Sequence, residues 1–121
     1  MVEALVGQAP DAALLAGLSG PMSAPHLLDT ELLSVLRGLT LGGRLDQIAA
    51  EQAKGDYFSF TIDRFEALPL SERIWQLRHQ FTAYDASYLA LSEVLAAPLF
   101  TCDRKLATTG HRAQVRVFGR H

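Results

Sequence analysis

The chain has 121 residues, 49% of them hydrophobic and 20% charged, which suits one domain spanning 1–121 and excludes a disordered chain. The formal net charge is −2, so no global basic field marks an indiscriminate nucleic-acid binder, although an acidic chain can still grip phosphates locally. A single cysteine, Cys102, cannot form an internal disulfide and points to a reducing compartment, the cytoplasm. The N-terminus has an early acid, Glu3, and no basic segment, so no signal peptide is expected; no apolar run reaches the roughly 20 residues of a membrane span.

In chain order, residues 1–6 are apolar except for Glu3. Asp11 is positioned to cap a short helix, Ala12 to Leu18, stopped by Gly20-Pro21. Met22 to Ala24 reads as a brief strand leading through Pro25 into a helix from about His26 to Leu39. Leu28, Leu32, Val35 and Leu39 lie on one stripe of that helix. At 100° per residue Glu31 projects about 60° to one side of the stripe and Asp29 falls on the opposite margin. Gly42-Gly43 ends the helix. Arg44 to Lys54 is predicted helical with Leu45, Ile48, Ala49 and Gln52 inward, and Tyr57 to Phe65 is predicted as a strand. A helix from Glu72 to about Phe81 follows. The next begins at Thr82, with Tyr84, Tyr88, Leu91 and Leu95 inward, and ends at Pro98. Residues 98–102 form an apolar strand, a short helix runs from about Arg104 to Thr108, and Gln114 to Phe118 is a last strand. Helices alternating with short strands give an α/β class with a mainly parallel sheet.

Three acids sit where catalytic carboxylates could converge. Glu31 is near the start of a helix, Asp85 is at a helix N-terminus, and Asp103 follows a strand end, where ligands bind in open α/β sheets. Magnesium takes oxygen ligands and keeps some of its water, so several carboxylates from different elements would suit it. Each acid also has an ordinary structural role. Thr82-Ala83-Tyr84-Asp85 fits a capping pattern, Asp103 could cap the helix after it, and Glu31 could be a solvated helix carboxylate. Cys102 reads as a buried strand-end thiol, and the histidines lack zinc-ligand spacing. Thr101 would place a hydroxyl near Asp103. Arg104, Lys105, Arg112 and Arg116 could rim a phosphate backbone or be ordinary solvated surface.

Three segments resemble motifs of the VapC-type PIN-domain toxins. Residues Ala24-Pro25-His26-Leu27-Leu28-Asp29-Thr30-Glu31 with Leu33 to Arg37 are similar to the family's second-helix motif. Thr82-Ala83-Tyr84-Asp85-Ala86-Ser87-Tyr88 with Ala90 to Glu93 resembles the third acidic motif, and Leu99 to Leu106 resembles the fourth. The resemblance implies a three-layer α/β/α PIN-like domain. It also implies a magnesium- or manganese-dependent endoribonuclease that cuts RNA phosphodiesters with a metal-activated water. Such a protein is the toxin of a type II toxin–antitoxin pair, usually a homodimer and silenced by a cognate VapB-type antitoxin. Carried over by motif, Glu31, Asp85 and Asp103 would be the metal-site acids and Thr101 a supporting hydroxyl.

The family's first motif is a strand ending in aspartate, followed by a helix reading like Val-Glu-Ala-Leu. This chain opens with Val2-Glu3-Ala4-Leu5, which matches that helix, and neither Glu3 nor Asp11 stands at the aspartate position. The expectation is therefore a sheet lacking its central strand. The intact later motifs favour Met1 as a late start over a degraded member. The alternative function is a truncated, catalytically impaired PIN domain that binds antitoxin or RNA without cutting. A third reading is a small α/β protein whose acids are only caps.

Overall fold

The computed structural model describes residues 22–101 and 103–117, and the backbone of 4–7. The sheet has five strands: β1 (Ala4–Gly7), β2 (Met22–Pro25), β3 (Ile62–Phe65), β4 (Leu99–Thr101) and β5 (Val115–Val117), in the order β3-β2-β1-β4-β5. Helices α1 (Leu27–Leu41) and α2 (Gln47–Ser59) join β2 to β3. Helices α3 (Ser71–Gln76) and α4 (Ala83–Leu95) join β3 to β4. This is an α/β PIN-like fold.

The sheet centre differs from expectation. A missing strand was anticipated between β2 and β4, with Ala4 and Leu5 opening a helix. Instead Ala4–Gly7 is a strand and fills that place. It runs antiparallel to both neighbours, pairing Val6 with Ser23 on one side and Leu5 with Phe100 on the other. The outer pairs, β2 with β3 and β4 with β5, are parallel. The sheet is thus mixed rather than mainly parallel. The physical cause is the demand of two facing strand edges for a partner, since each buried, unpaired backbone group would cost about 1–3 kcal/mol. Strands adjacent in sequence can meet this demand antiparallel without a crossover helix.

Helix α4 is the most deeply buried helix among the described residues. Ala86 through Ser92 are all buried, and the helix packs against β1, β2 and β4. Its two buried serines bond locally: Ser87 Oγ donates to the Tyr84 carbonyl at 2.7 Å and Ser92 Oγ to the Ala97 carbonyl at 2.5 Å. The helix ends at Ala96, whose left-handed φ of 52° turns the chain into β4. Leu99, Phe100 and Thr101 are then fully buried.

The pair α1 and α2 behaves otherwise. Of the predicted α1 stripe only Leu28 is buried, and α2 buries no residue: Ile48, expected inward, is 82% exposed. Tyr84 likewise lies outward rather than on the buried stripe of α4. Helix α2 also runs on through Gly55-Asp56 to Ser59, so only Ile62–Phe65 of the predicted strand is extended. A tertiary contact overrides the β-propensity of Tyr57 and Phe58. The Tyr57 hydroxyl donates to Asp29 Oδ1 at 2.8 Å, and Arg64 Nε donates to Asp29 Oδ2 at 2.7 Å, tying α2 and β3 to α1. The predicted helix to Phe81 stops at Gln76, and the one after Asp103 is a single 3-10 turn, Arg104–Leu106. The predicted helix Ala12 to Leu18 and the environment of Cys102 lie outside the described residues.

A second polar link joins α3, α4 and the segment before β5. Arg73 Nε and Nη2 grip the Glu93 carboxylate at 2.8 and 3.0 Å, and the Arg112 backbone N–H adds a bond of 2.7 Å. Burial would raise the Glu93 pKa, but these hydrogen bonds win and hold it below the ordinary glutamate value. Stability from this link is therefore complete above about pH 4.5 and lost as pH falls through the lowered folded value. Glu93→Gln should cost about 2–3 kcal/mol at pH 7, less than a fully buried pair because Arg73 keeps some solvent. Urea unfolding at pH 7 and pH 3 checks this, with the gap between variant and parent narrowing at the lower pH.

Candidate functional site

Beyond the carboxyl end of β4 the chain makes a tight turn that carries Asp103. The Thr101 side chain is buried, and its Oγ1 accepts the Asp103 backbone N–H at 3.0 Å. Asp103 Oδ1 accepts the Lys105 N–H at 2.9 Å, and Lys105 Nζ lies 4.0 Å from Oδ2. Asp103 therefore does cap the following 3-10 turn. That turn is anchored in turn by His111, whose Nε2 donates to the Leu106 carbonyl at 2.6 Å while Nδ1 accepts from Ala113 N–H at 3.1 Å.

Asp85 reaches the same place from the other side. Thr82 is the N-cap of α4, its Oγ1 accepting the Asp85 N–H at 3.1 Å. The cap fixes the first helical turn, and the turn sets Asp85 into a cleft of about 470 Å³ with Gln80, Phe81, Thr82, Lys105 and Thr108. Burial raises the Asp85 pKa, the Asp103 charge raises it further, and Lys105 and Thr82 offset part of the rise. Two carboxylates from separate elements thus feel one another at one point. Their capping bonds engage the Asp85 backbone and one Asp103 oxygen, so capping accounts for only part of the arrangement.

Glu31 is held apart from this pair. It is half-buried on α1, and its Oε1 accepts the Tyr88 hydroxyl at 2.6 Å. Burial and the bond to Glu31 both push the Tyr88 pKa up, so it remains a donor throughout the ordinary pH range. Glu31 lines a second cleft, of about 550 Å³, with Leu27, Thr30, Ser34, Val35 and Tyr84. Among the described residues no three of His, Cys, Asp and Glu gather closely enough to hold a metal ion. The donor set present is the pair Asp85 and Asp103. Magnesium bound by one or two carboxylates with waters filling its other positions suits such a pair, and a cation would offset both the burial and the Asp103 charge that raise the Asp85 pKa.

No protein-family model matches the chain. Curated relatives do. Ribonuclease VapC1 of Mycobacterium tuberculosis is 43% identical over 113 residues, covering 88% of this chain and 83% of the relative. Ribonuclease VapC9 of the same species is 39% identical over 89 residues, 74% of this chain and 70% of the relative. Ribonuclease VapC12 is 30% identical over 118 residues, covering 96% and 92%.

The chain belongs to the VapC family.

The sequence motifs that resembled VapC proteins map onto these clefts. The third and fourth motifs supply the Asp85–Asp103 pair with the Thr101 hydroxyl behind it; the second supplies Glu31 in the neighbouring cleft. Of the expected basic rim, Lys105 faces the acid pair, and Arg112 is turned to Glu93, its Nη2 at 3.7 Å from Oε1. Tyr88 was missed as a site residue because it reads as one more apolar position on the α4 stripe. The available signal was its hydroxyl, since a buried tyrosine needs a hydrogen-bond partner.

The raised pKa of Asp85 has a sign that can be checked. A carboxyl whose folded pKa lies above its unfolded value near 3.8 binds more protons when folded, so stability falls as pH rises through that window and stays reduced above it. In metal-free buffer at pH 7, Asp85→Asn should raise Tm by about 1–3 °C, and the gain should vanish below about pH 3.5. Thermal unfolding of the two proteins at pH 7 and pH 3 reads it directly.

Proposed function

We propose that this chain is a ribonuclease that cuts RNA phosphodiester bonds with the help of a divalent metal, and that it is the toxin of a type II toxin–antitoxin pair with a VapB-type antitoxin as partner. The observation that carries the catalytic part is the pair of carboxylates, Asp85 at the start of α4 and Asp103 after β4, close enough for the charge of one to raise the pKa of the other, in a chain of VapC ancestry. Asp85 and Asp103 would hold a magnesium or manganese ion, with Glu31 as the third acid of the set. Such an ion, when bound, supplies positive charge against the phosphate and lowers the pKa of a water.

The chain's own residues do the rest. The Thr101 hydroxyl holds the Asp103 backbone N–H and the Lys105 N–H holds one oxygen of its carboxylate, so Asp103 does not have to be ordered when substrate arrives. Thr82 sets the turn that aims Asp85. The Lys105 side chain, 82% exposed, offers a mobile cation to the RNA backbone beside the acids. Membrane attachment through a helix is not part of the proposal, because no helix of the described residues is long and apolar enough to span a bilayer. Activity in the cytoplasm and a homodimeric state complete the proposal, in keeping with the PIN-toxin resemblance.

Cleavage of total RNA in manganese or magnesium tests it. The parent should cut and lose activity in EDTA. Asp103→Ala should lose at least about 100-fold, since it removes a charge the reaction depends on, while keeping its far-UV circular dichroism. Normal cutting by Asp103→Ala, or equal cutting in EDTA, contradicts the assignment. Metal-independent binding of RNA with no cutting by the parent favours the binding-module alternative.

A further inference from the structure

Asp85 and Asp103 arrive on different elements, so something has to set the spacing between the loops beside them. Asp85 follows the loop 77–82 that leads into α4, and Asp103 opens the loop 103–114 between β4 and β5. The cleft that holds Asp85 runs along the seam between these loops. Gln80, Phe81 and Thr82 line it from the first, and Lys105 and Thr108 from the second. Three contacts close the seam. Gln80 Nε2 donates to the Thr109 carbonyl at 3.2 Å. The rings of Phe81 and His111 pack with centroids 5.7 Å apart, and Phe81 is itself buried. Gly110, at a φ of 108°, comes so close to Gln80 that a Cβ there would displace its amide.

His111 also staples its own loop. Its Nε2 meets the Leu106 carbonyl at 2.6 Å and its Nδ1 the Ala113 N–H at 3.1 Å. A carbonyl only accepts and an N–H only donates, so these partners place the ring proton on Nε2. The Leu106 N–H in turn donates to the Asp103 carbonyl at 3.2 Å. The imidazole is thus one residue's hydrogen bonds away from Asp103, and it packs on the residue next to Thr82, the cap that aims Asp85.

We infer that His111 is a positioning residue of the acid pair: it holds the Asp103 turn against the start of α4 and so keeps the two carboxylates at a spacing that one divalent cation can bridge. The inference rests on the metal-dependent ribonuclease reading for the ion, and it adds a residue that touches neither metal nor RNA. Magnesium demands near-octahedral oxygens at roughly 2.0–2.1 Å, so two carboxylates share an ion only while the loops that carry them keep their separation. The like charges push the other way when no cation is present. Histidine suits the task because one half-buried side chain supplies a donor, an acceptor and a flat face. Phenylalanine would keep the face and lose both hydrogen bonds, leaving the Leu106 carbonyl without its partner. Glutamine would keep a donor for that carbonyl and give up the face.

Isothermal titration of the whole RNA-free chain with manganese, beside thermal unfolding in metal-free buffer, tests this. His111→Phe should weaken manganese binding about tenfold, and His111→Gln should return to within about threefold of the parent. Gln80→Ala, on the surface, should lose about threefold with Tm hardly moved. A purely structural role would lower Tm in the His111 variants and leave the affinity of the folded protein unchanged. Parental affinity in folded His111→Phe, or an equal loss in His111→Gln, overturns the inference. Should His111→Phe fail to fold, Gln80→Ala decides: its expected loss supports the inference and parental affinity overturns it. If the parent binds no manganese, the metal reading falls and this inference falls with it. If the parent binds and the variants bind equally well, the metal reading stands and the role of His111 alone is wrong.

Discussion

Two like charges are brought together at the end of β4, and the surrounding structure explains how they are kept there. Asp103 follows a fully buried strand and is fixed by the Thr101 hydroxyl and the Lys105 N–H. Asp85 rides on the first turn of a helix whose middle is entirely buried. The backbone that carries each carboxylate is thus anchored to the core. Burial first, and the Asp103 charge after it, raise the pKa of Asp85, with Lys105 offsetting part of the rise. Unfavourable charge maintained by a rigid scaffold is the usual mark of a site built for a ligand of opposite sign.

The scaffold depends on the sheet centre. β1 supplies hydrogen bonds to β2 on one side and β4 on the other, and α4 packs across all three strands. Losing β1 would open the strand that delivers Asp103 and loosen the seat of the helix that delivers Asp85. The strand's antiparallel direction also means that its residues enter the site region in the reverse sense to a parallel strand. An aspartate at the end of a parallel central strand would have come out beside Asp103. The β1 segment, Ala4-Leu5-Val6-Gly7, brings no acid of its own.

Much of this was legible in the sequence. The strands around Met22 and Leu99, the long helix at 83–95 with its Thr82 cap, and the positions of Asp85 and Asp103 all followed from apolar spacing, proline breaks and capping residues. What was not legible depended on partners distant in the chain. Tyr57 and Phe58 have strand-like propensity, yet Tyr57 stays helical with its hydroxyl on Asp29, 28 residues away. Leu32, Val35 and Ile48 look like core positions by periodicity, yet the α1–α2 pair leaves them partly or largely exposed. Ala4 to Gly7 has an apolar composition equally at home in a helix, and only the two open strand edges decide for a strand. The hydrogen bond from Tyr88 to Glu31, 57 residues away, is likewise invisible to periodicity, which marks Tyr88 only as core.

The most direct test of the central claim is manganese binding measured by isothermal titration on the chain without RNA, beside Asp85→Asn and Asp103→Asn. The account requires saturable binding in the parent that either substitution weakens at least about tenfold, because the two carboxylates form one site. Undiminished binding in both variants, or no binding in a parent that nonetheless cuts RNA, would contradict it.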